Sequence, residues 1–231
     1  MNRTVRVFLV LAFLLVLSRP GFSQTLASPD TGHSLLITVQ IYNRADVPQD
    51  DLILAQTQVS AILKQAGVRA AWLNCTVDAA TRQSTHVYDA PIRSTNFVIN
   101  IVDSFKPEWK WLPDDALGFS PMPAEGEFAV YAYVSFERTL LLAKLGYASR
   151  EKILGLAMAH ELGHLLLGLG GHSGRGLMRA HWAAKDLLSA SGPDLLFTSQ
   201  QVERIRTALL RRLQQEEEIH VAAEIARERP R

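Results

Sequence analysis

The chain has 231 residues, 48% of them hydrophobic, with a single cysteine and a formal net charge of +1. That length suits one domain, and the apolar content is ample for a packed core, which excludes a disordered chain. The near-zero charge gives no electrostatic footprint for nucleic acid, and Cys75 alone cannot form an intramolecular disulfide.

The first stretch, MNRTVRVFLVLAFLLVLSRPGFSQ, places Arg3 and Arg6 before an uninterrupted apolar run, Phe8 to Leu17, which Pro20, Gly21 and small residues close. The run is too short to span a bilayer comfortably, and its order is that of a secretory signal peptide. Residues 1–23 are therefore expected to be a leader, cut between Ser23 and Gln24 or after Ala27, giving a secreted or periplasmic protein. No stable membrane association is expected after cleavage; a retained anchor is the minority reading. Loss of Arg3, Arg6 and Arg19 leaves a slightly negative mature surface.

Residues 35–42 (LLITVQIY) read as a buried strand, and the turn-rich NRADVPQDD follows. Asp50 or Asp51 is expected to cap a helix running to about Gln65, with Leu52, Leu54, Ala55, Val59, Ile62 and Leu63 inward and Gly67 as its stop. Val68 to Cys75 completes a βαβ unit. Asn96 to Val102 is a third strand, Ala116 to Ser120 a short edge strand closed by the proline-containing PMPAEGE, and Phe128 to Phe136 a further strand.

From Ser149, a capping residue, the pattern becomes helical and apolar around most of its circumference, until Gly168, Gly170 and Gly171 end it. Thr198 and Gln201 form a capping box before a long helix with Val202, Ile205, Leu209 and Leu213 as its apolar stripe. The folded domain is thus expected over residues 24–214. Residues 215–231 are mostly charged and read as a solvated helical extension or tail.

The apolar helix carries HELGH, with His160, Glu161 and His164 in its middle, and His172 follows beyond the glycines. Burying such groups without partners is costly, so a partner is required. Residues four apart share one helix face, so His160 and His164 present two imidazoles to one point, while Glu161 projects roughly 100° away. This is the His-Glu-x-x-His zinc signature, with two ligands for Zn2+ and a general base. His172 is the candidate third ligand; a downstream carboxylate, Glu203 or Asp186, is the alternative.

His160 to Met178 resembles the site of the metzincin zinc proteases, where two helix histidines, a glycine turn, a third histidine and a methionine turn occur in that order. The spacing departs from that pattern, since Leu167 and Gly170 occupy the usual glycine and histidine positions, and Gly168 and His172 fall one and two residues later. The resemblance implies an α+β metzincin-like zincin fold. Its twisted, mostly parallel sheet has an antiparallel edge strand and packs on a central active-site helix and a C-terminal helix. It also implies Met178 as the residue beneath the metal and a peptide or protein substrate lying antiparallel to the ALGFS edge.

The expected reaction is peptide hydrolysis through a zinc-bound water, with Glu161 as base. A non-catalytic zinc module would use the same three histidines. His33, His86 and His220 are expected at exposed positions and His181 in a surface or structural role; Trp109 and Trp111 are expected to pack. Nothing in the residues specifies an oligomeric state.

Overall fold

The structure is a computed structural model of the full chain, and it describes residues 34–75, 93–122, 128–188 and 195–228. The expected leader, His33 and His86, the end of PMPAEGE and the last three residues of the tail lie outside the described residues.

β1 (Leu35–Asn43), α1 (Gln49–Gln65) and β2 (Val68–Cys75) form the expected βαβ unit, with β1 and β2 parallel from Leu35 opposite Val68 to Tyr42 opposite Cys75. β3 (Asn96–Val102) joins the other edge of β1 in parallel, and β5 (Tyr131–Ser135) joins β3. β4 (Gly118–Phe119) runs antiparallel to β5, Gly118 opposite Val134 and Phe119 opposite Tyr133. The sheet order β2-β1-β3-β5-β4 leaves β4 at the edge, as its prolines require. It is two residues long rather than the five expected, because Arg138 on the next helix holds the preceding loop by the Pro113 and Ala116 carbonyls.

The helices bring corrections. Pro48 occupies the N-cap of α1, and Asp50 and Asp51 lie in its first turn, where Asp51 pairs with Arg150 at 2.5 Å instead of capping. Leu54 faces solvent, since the inward stripe runs through Asp51, Leu52, Ala55, Gln56, Val59, Ile62 and Leu63. The strand expected to reach Phe136 stops at Ser135, whose hydroxyl accepts from the Arg138 amide and so starts α2 (Phe136–Lys144).

α3 (Arg150–Leu167) is the central helix. It packs on α1, on α2 and on β3, β4 and β5, and is buried from Ile153 to Leu167 except at His164. Ser149 sits at its N-cap, but its hydroxyl bonds the Glu151 carboxylate rather than a backbone amide. A short helix, α4 (Ala184–Leu188), follows the glycine loop, and α5 (Ser199–Glu228) closes the domain against α3. The capping box is formed: the Thr198 amide donates to Gln201 Oε1 at 2.9 Å, and the Gln201 amide to Thr198 Oγ1 at 3.3 Å. Beyond Gln214 the helix continues with nearly every residue exposed, as its charge pattern implies. Cys75 is buried, and burial pushes its thiol pKa up, in keeping with a packing role.

Candidate metal centre

Gly168 ends α3 with φ +69°, and its amide donates to the His164 carbonyl at 2.9 Å. Two arginines from α5 reach two further carbonyls of the last turn: Arg204 donates to Leu167 at 3.1 Å and Arg212 to Leu165 at 2.7 Å. The histidine-bearing helix thus has two cations bonded to carbonyls at its negative end. The chain then turns back so that the ring of His172 stands 4.6 Å from that of His164 and 5.5 Å from that of His160, centroid to centroid.

One ligating atom from each of His160, His164 and His172 lies within 4.8 Å of the others. His160 Nδ1 donates to the Leu177 carbonyl at 2.8 Å, which fixes the tautomer and leaves its Nε2 as an acceptor. That Nε2 faces His164 Nε2 at 3.1 Å. Trp182 Nε1 donates to the same Leu177 carbonyl at 3.0 Å, and the indole stands edge-on to His160. Burial lowers the pKa of His160 to about 4 and that of His164 to about 3, the latter helped by the neighbouring His160 and His172 rings. His172 is exposed; burial and then His181 lower its pKa as well. The group is therefore three neutral imidazoles with convergent lone pairs, a donor set that can hold a borderline-soft divalent ion such as Zn2+.

The loop bearing His172 is held from both sides. Gln201 Nε2 donates to the Gly171 carbonyl at 3.1 Å and to Ser173 Oγ at 3.0 Å, and the Ser173 amide donates to the Met178 carbonyl at 2.8 Å. Met178 is fully buried beneath α3, against Gly163 and close to Phe197.

Glu161 is 4% exposed, and Ser120 Oγ donates to its Oε2 at 2.8 Å. Burial raises its pKa to about 8, with the Ser120 hydrogen bond pulling the other way. Glu161, His160, His164 and His172 all line one cavity of about 600 Å³, which Leu117, Gly118, Ser120, His181 and Trp182 also line.

No family model matches the sequence, and no curated protein is found to be similar. Among solved structures, the crystal structure of archaemetzincin from Methanopyrus kandleri aligns with a TM-score of 0.46 and 16% identity, covering 78% of this chain and 97% of that chain.

The alternative third ligands lie elsewhere. Asp186 pairs with Arg179 at 2.6 Å and accepts from the Ala183 amide at 2.7 Å, and Glu203 is exposed on α5; neither lines the cavity. His181 is exposed, with Nδ1 3.0 Å from Asp115 Oδ2, and contributes to the cavity rim. Trp109 packs on Phe105, Phe119 and Tyr133 as expected, whereas Trp111 only meets Phe119 by its edge and is otherwise exposed, against expectation; His220 is exposed on α5. Ser120, Trp182 and Gln201 join the site unannounced by sequence. Only Gln201 had a signal, its capping box, and that signal concerned the helix.

Proposed function

We propose that the chain is a metzincin-like zinc endopeptidase, exported by residues 1–23 and acting on peptide or protein substrates. The observation that supports this best is the convergence of His160, His164 and His172 beside Glu161 in an open cleft. His160 and His164 would hold the metal by Nε2 and His172 by a ring nitrogen. Zinc, when bound, acidifies its water to a pKa of about 7 and polarises a carbonyl.

The chain's own groups supply the rest. Glu161, enclosed and adjacent to His160, accepts the water proton and returns it to the leaving amine, work that favours a carboxyl with a pKa near the operating pH. Leu177, through its carbonyl, keeps the Nε2 of His160 aimed at the cluster. The outer edge of β4 has no strand partner among the described residues, so its backbone groups can pair with an extended peptide running antiparallel to it.

The test is metal analysis of the purified mature protein beside His172→Ala, with turnover of a quenched peptide library. Stoichiometric zinc in the wild type, loss of zinc in His172→Ala and loss of activity but not zinc in Glu161→Gln are expected. Zinc without turnover of any peptide would leave a non-catalytic zinc module. Zinc retained by His172→Ala but lost on removal of Glu203 or Asp186 would move the third ligand to a carboxylate. N-terminal sequencing of the exported form tests the leader.

A further inference from the structure

β4 does more than border the cleft. Gly118 lies in β4 and Ser120 one residue beyond its end, and both are turned toward α3. Both meet Glu161 there. Ser120 Oγ donates to Glu161 Oε2 at 2.8 Å and stands 3.1 Å from the Glu161 backbone carbonyl, bridging the side chain to its own main chain. Gly118 supplies the room: a Cβ built on it would lie 2.6 Å from Glu161 Cγ and 2.7 Å from Oε1, closer than real Cβ contacts come. The carboxylate is thus gripped by a hydroxyl at one oxygen and admitted by a missing side chain at the other.

Resting on the reading of Glu161 as the base, we propose that Ser120 is a positioning residue that holds the Glu161 carboxylate in its working orientation, with Gly118 as the space that orientation needs. Gly118 lies in this short strand and Ser120 just beyond its end, while the outer edge of β4, which has no strand partner among the described residues, is open to substrate backbone. A peptide that pairs with β4 therefore steadies the strand that aims the base. A long substrate able to pair along the edge gains in kcat over a truncated one of the same scissile sequence, because strand order is passed to Glu161.

The experiment uses the metal-loaded mature protein. Ser120→Ala removes the hydroxyl and nothing else; it is expected to bind zinc as the wild type does and to keep KM, while kcat falls about tenfold to hundredfold, the cost of a misaimed group. Ser120→Thr, which keeps the hydroxyl, restores most of that loss. Gly118→Ala, which crowds the carboxylate while leaving Ser120 in place, lowers kcat in the same way.

A second readout needs no turnover. In the metal-free protein, the denaturation free energies of Ser120→Ala, Glu161→Gln and the double variant are expected to be non-additive, as for groups in contact. Full kcat in Ser120→Ala alongside an inactive Glu161→Gln would overturn the positioning role and leave the peptidase reading intact. No turnover by the wild type would overturn the peptidase reading and the catalytic use of the grip together. The cycle would then decide the contact alone, additivity removing that too.

Discussion

Gln201 fixes the backbone on the near side of His172, its Nε2 donating to the Gly171 carbonyl at 3.1 Å, and it makes a second bond on the far side to Ser173 Oγ at 3.0 Å. The same side chain accepts from the Thr198 amide through Oε1. One residue therefore caps α5 and orients the loop of the third imidazole. A glutamate in its place would keep the cap, since glutamate serves the capping box equally well, but would have no N–H to give. Gln201→Glu is expected to retain wild-type helicity and to weaken zinc binding about tenfold to hundredfold, as loss of a ligand's supporting partner does. Competition against a chelator of known affinity measures it; unchanged affinity would show that the loop holds itself.

Gly163, inside HELGH, is dictated by Met178. A Cβ there would collide with the methionine sulfur and come within 2.9 Å of Phe197 Cε1. Alanine is the better helix former by about 1 kcal/mol, but overpacking a full core costs about 1–3 kcal/mol, so crowding is expected to win. Gly163→Ala should lower the Tm of the metal-free protein, and the penalty should shrink when Met178→Ala opens the space. Equal penalties in the two backgrounds would mean that the methionine does not occupy that gap.

The strands, α1, α3 and the capping box were legible because each carries a period or a terminator of its own. The cluster of His160, His164 and His172 was legible because burying HELGH among leucines has a recognisable chemical reason. α2 was not, since FERTLLLAK follows the aromatic strand without a glycine or proline, and Ser135 serves as both last strand residue and helix cap. The grip of Ser120 on Glu161 arises only where β4 crosses α3, a relation that spans 41 residues and leaves no local pattern. Leu54 was misplaced by hydrophobicity alone, because two polar residues of α1 turn inward instead, Asp51 to Arg150 of α3 and Gln56 to Asn74 of β2.

Arg212 shows the same lesson on α5. The apolar stripe was expected to end at Leu213, yet Leu213 is exposed and Arg212 buried, because the phase set by Gln201, Ile205 and Leu209 turns position 212 inward. Its guanidinium donates to the carbonyls of Ser94, Ala129 and Leu165 and lies over the rings of Phe97 and Phe128. Burial lowers its pKa to about 10, which leaves it charged at neutral pH. Arg212→Met fills similar space but strips three carbonyls of their donor, and a loss of at least about 2 kcal/mol is expected in urea denaturation. Arg212→Lys should recover only part, since an ammonium cannot reproduce the planar fork.

Without metal, the buried site titrates against itself. His160 falls from 6.5 to about 4 on folding, so between those values the unfolded chain binds a proton that the folded one refuses, and this group adds stability as pH rises. Glu161 is raised from 4.5 to about 8, so across that window the folded chain keeps a proton that the unfolded one has released, and stability drains away as pH rises. Glutamine at 161 cannot titrate. Chelator-treated Glu161→Gln is therefore expected to gain stability relative to chelator-treated wild type between about pH 5 and about pH 8, read by urea denaturation at several pH values. A difference that stays flat over that range would mean that the Glu161 carboxyl ionises in the folded protein as readily as in the unfolded one. The Ser120 hydrogen bond, which favours the carboxylate, would then outweigh the enclosure.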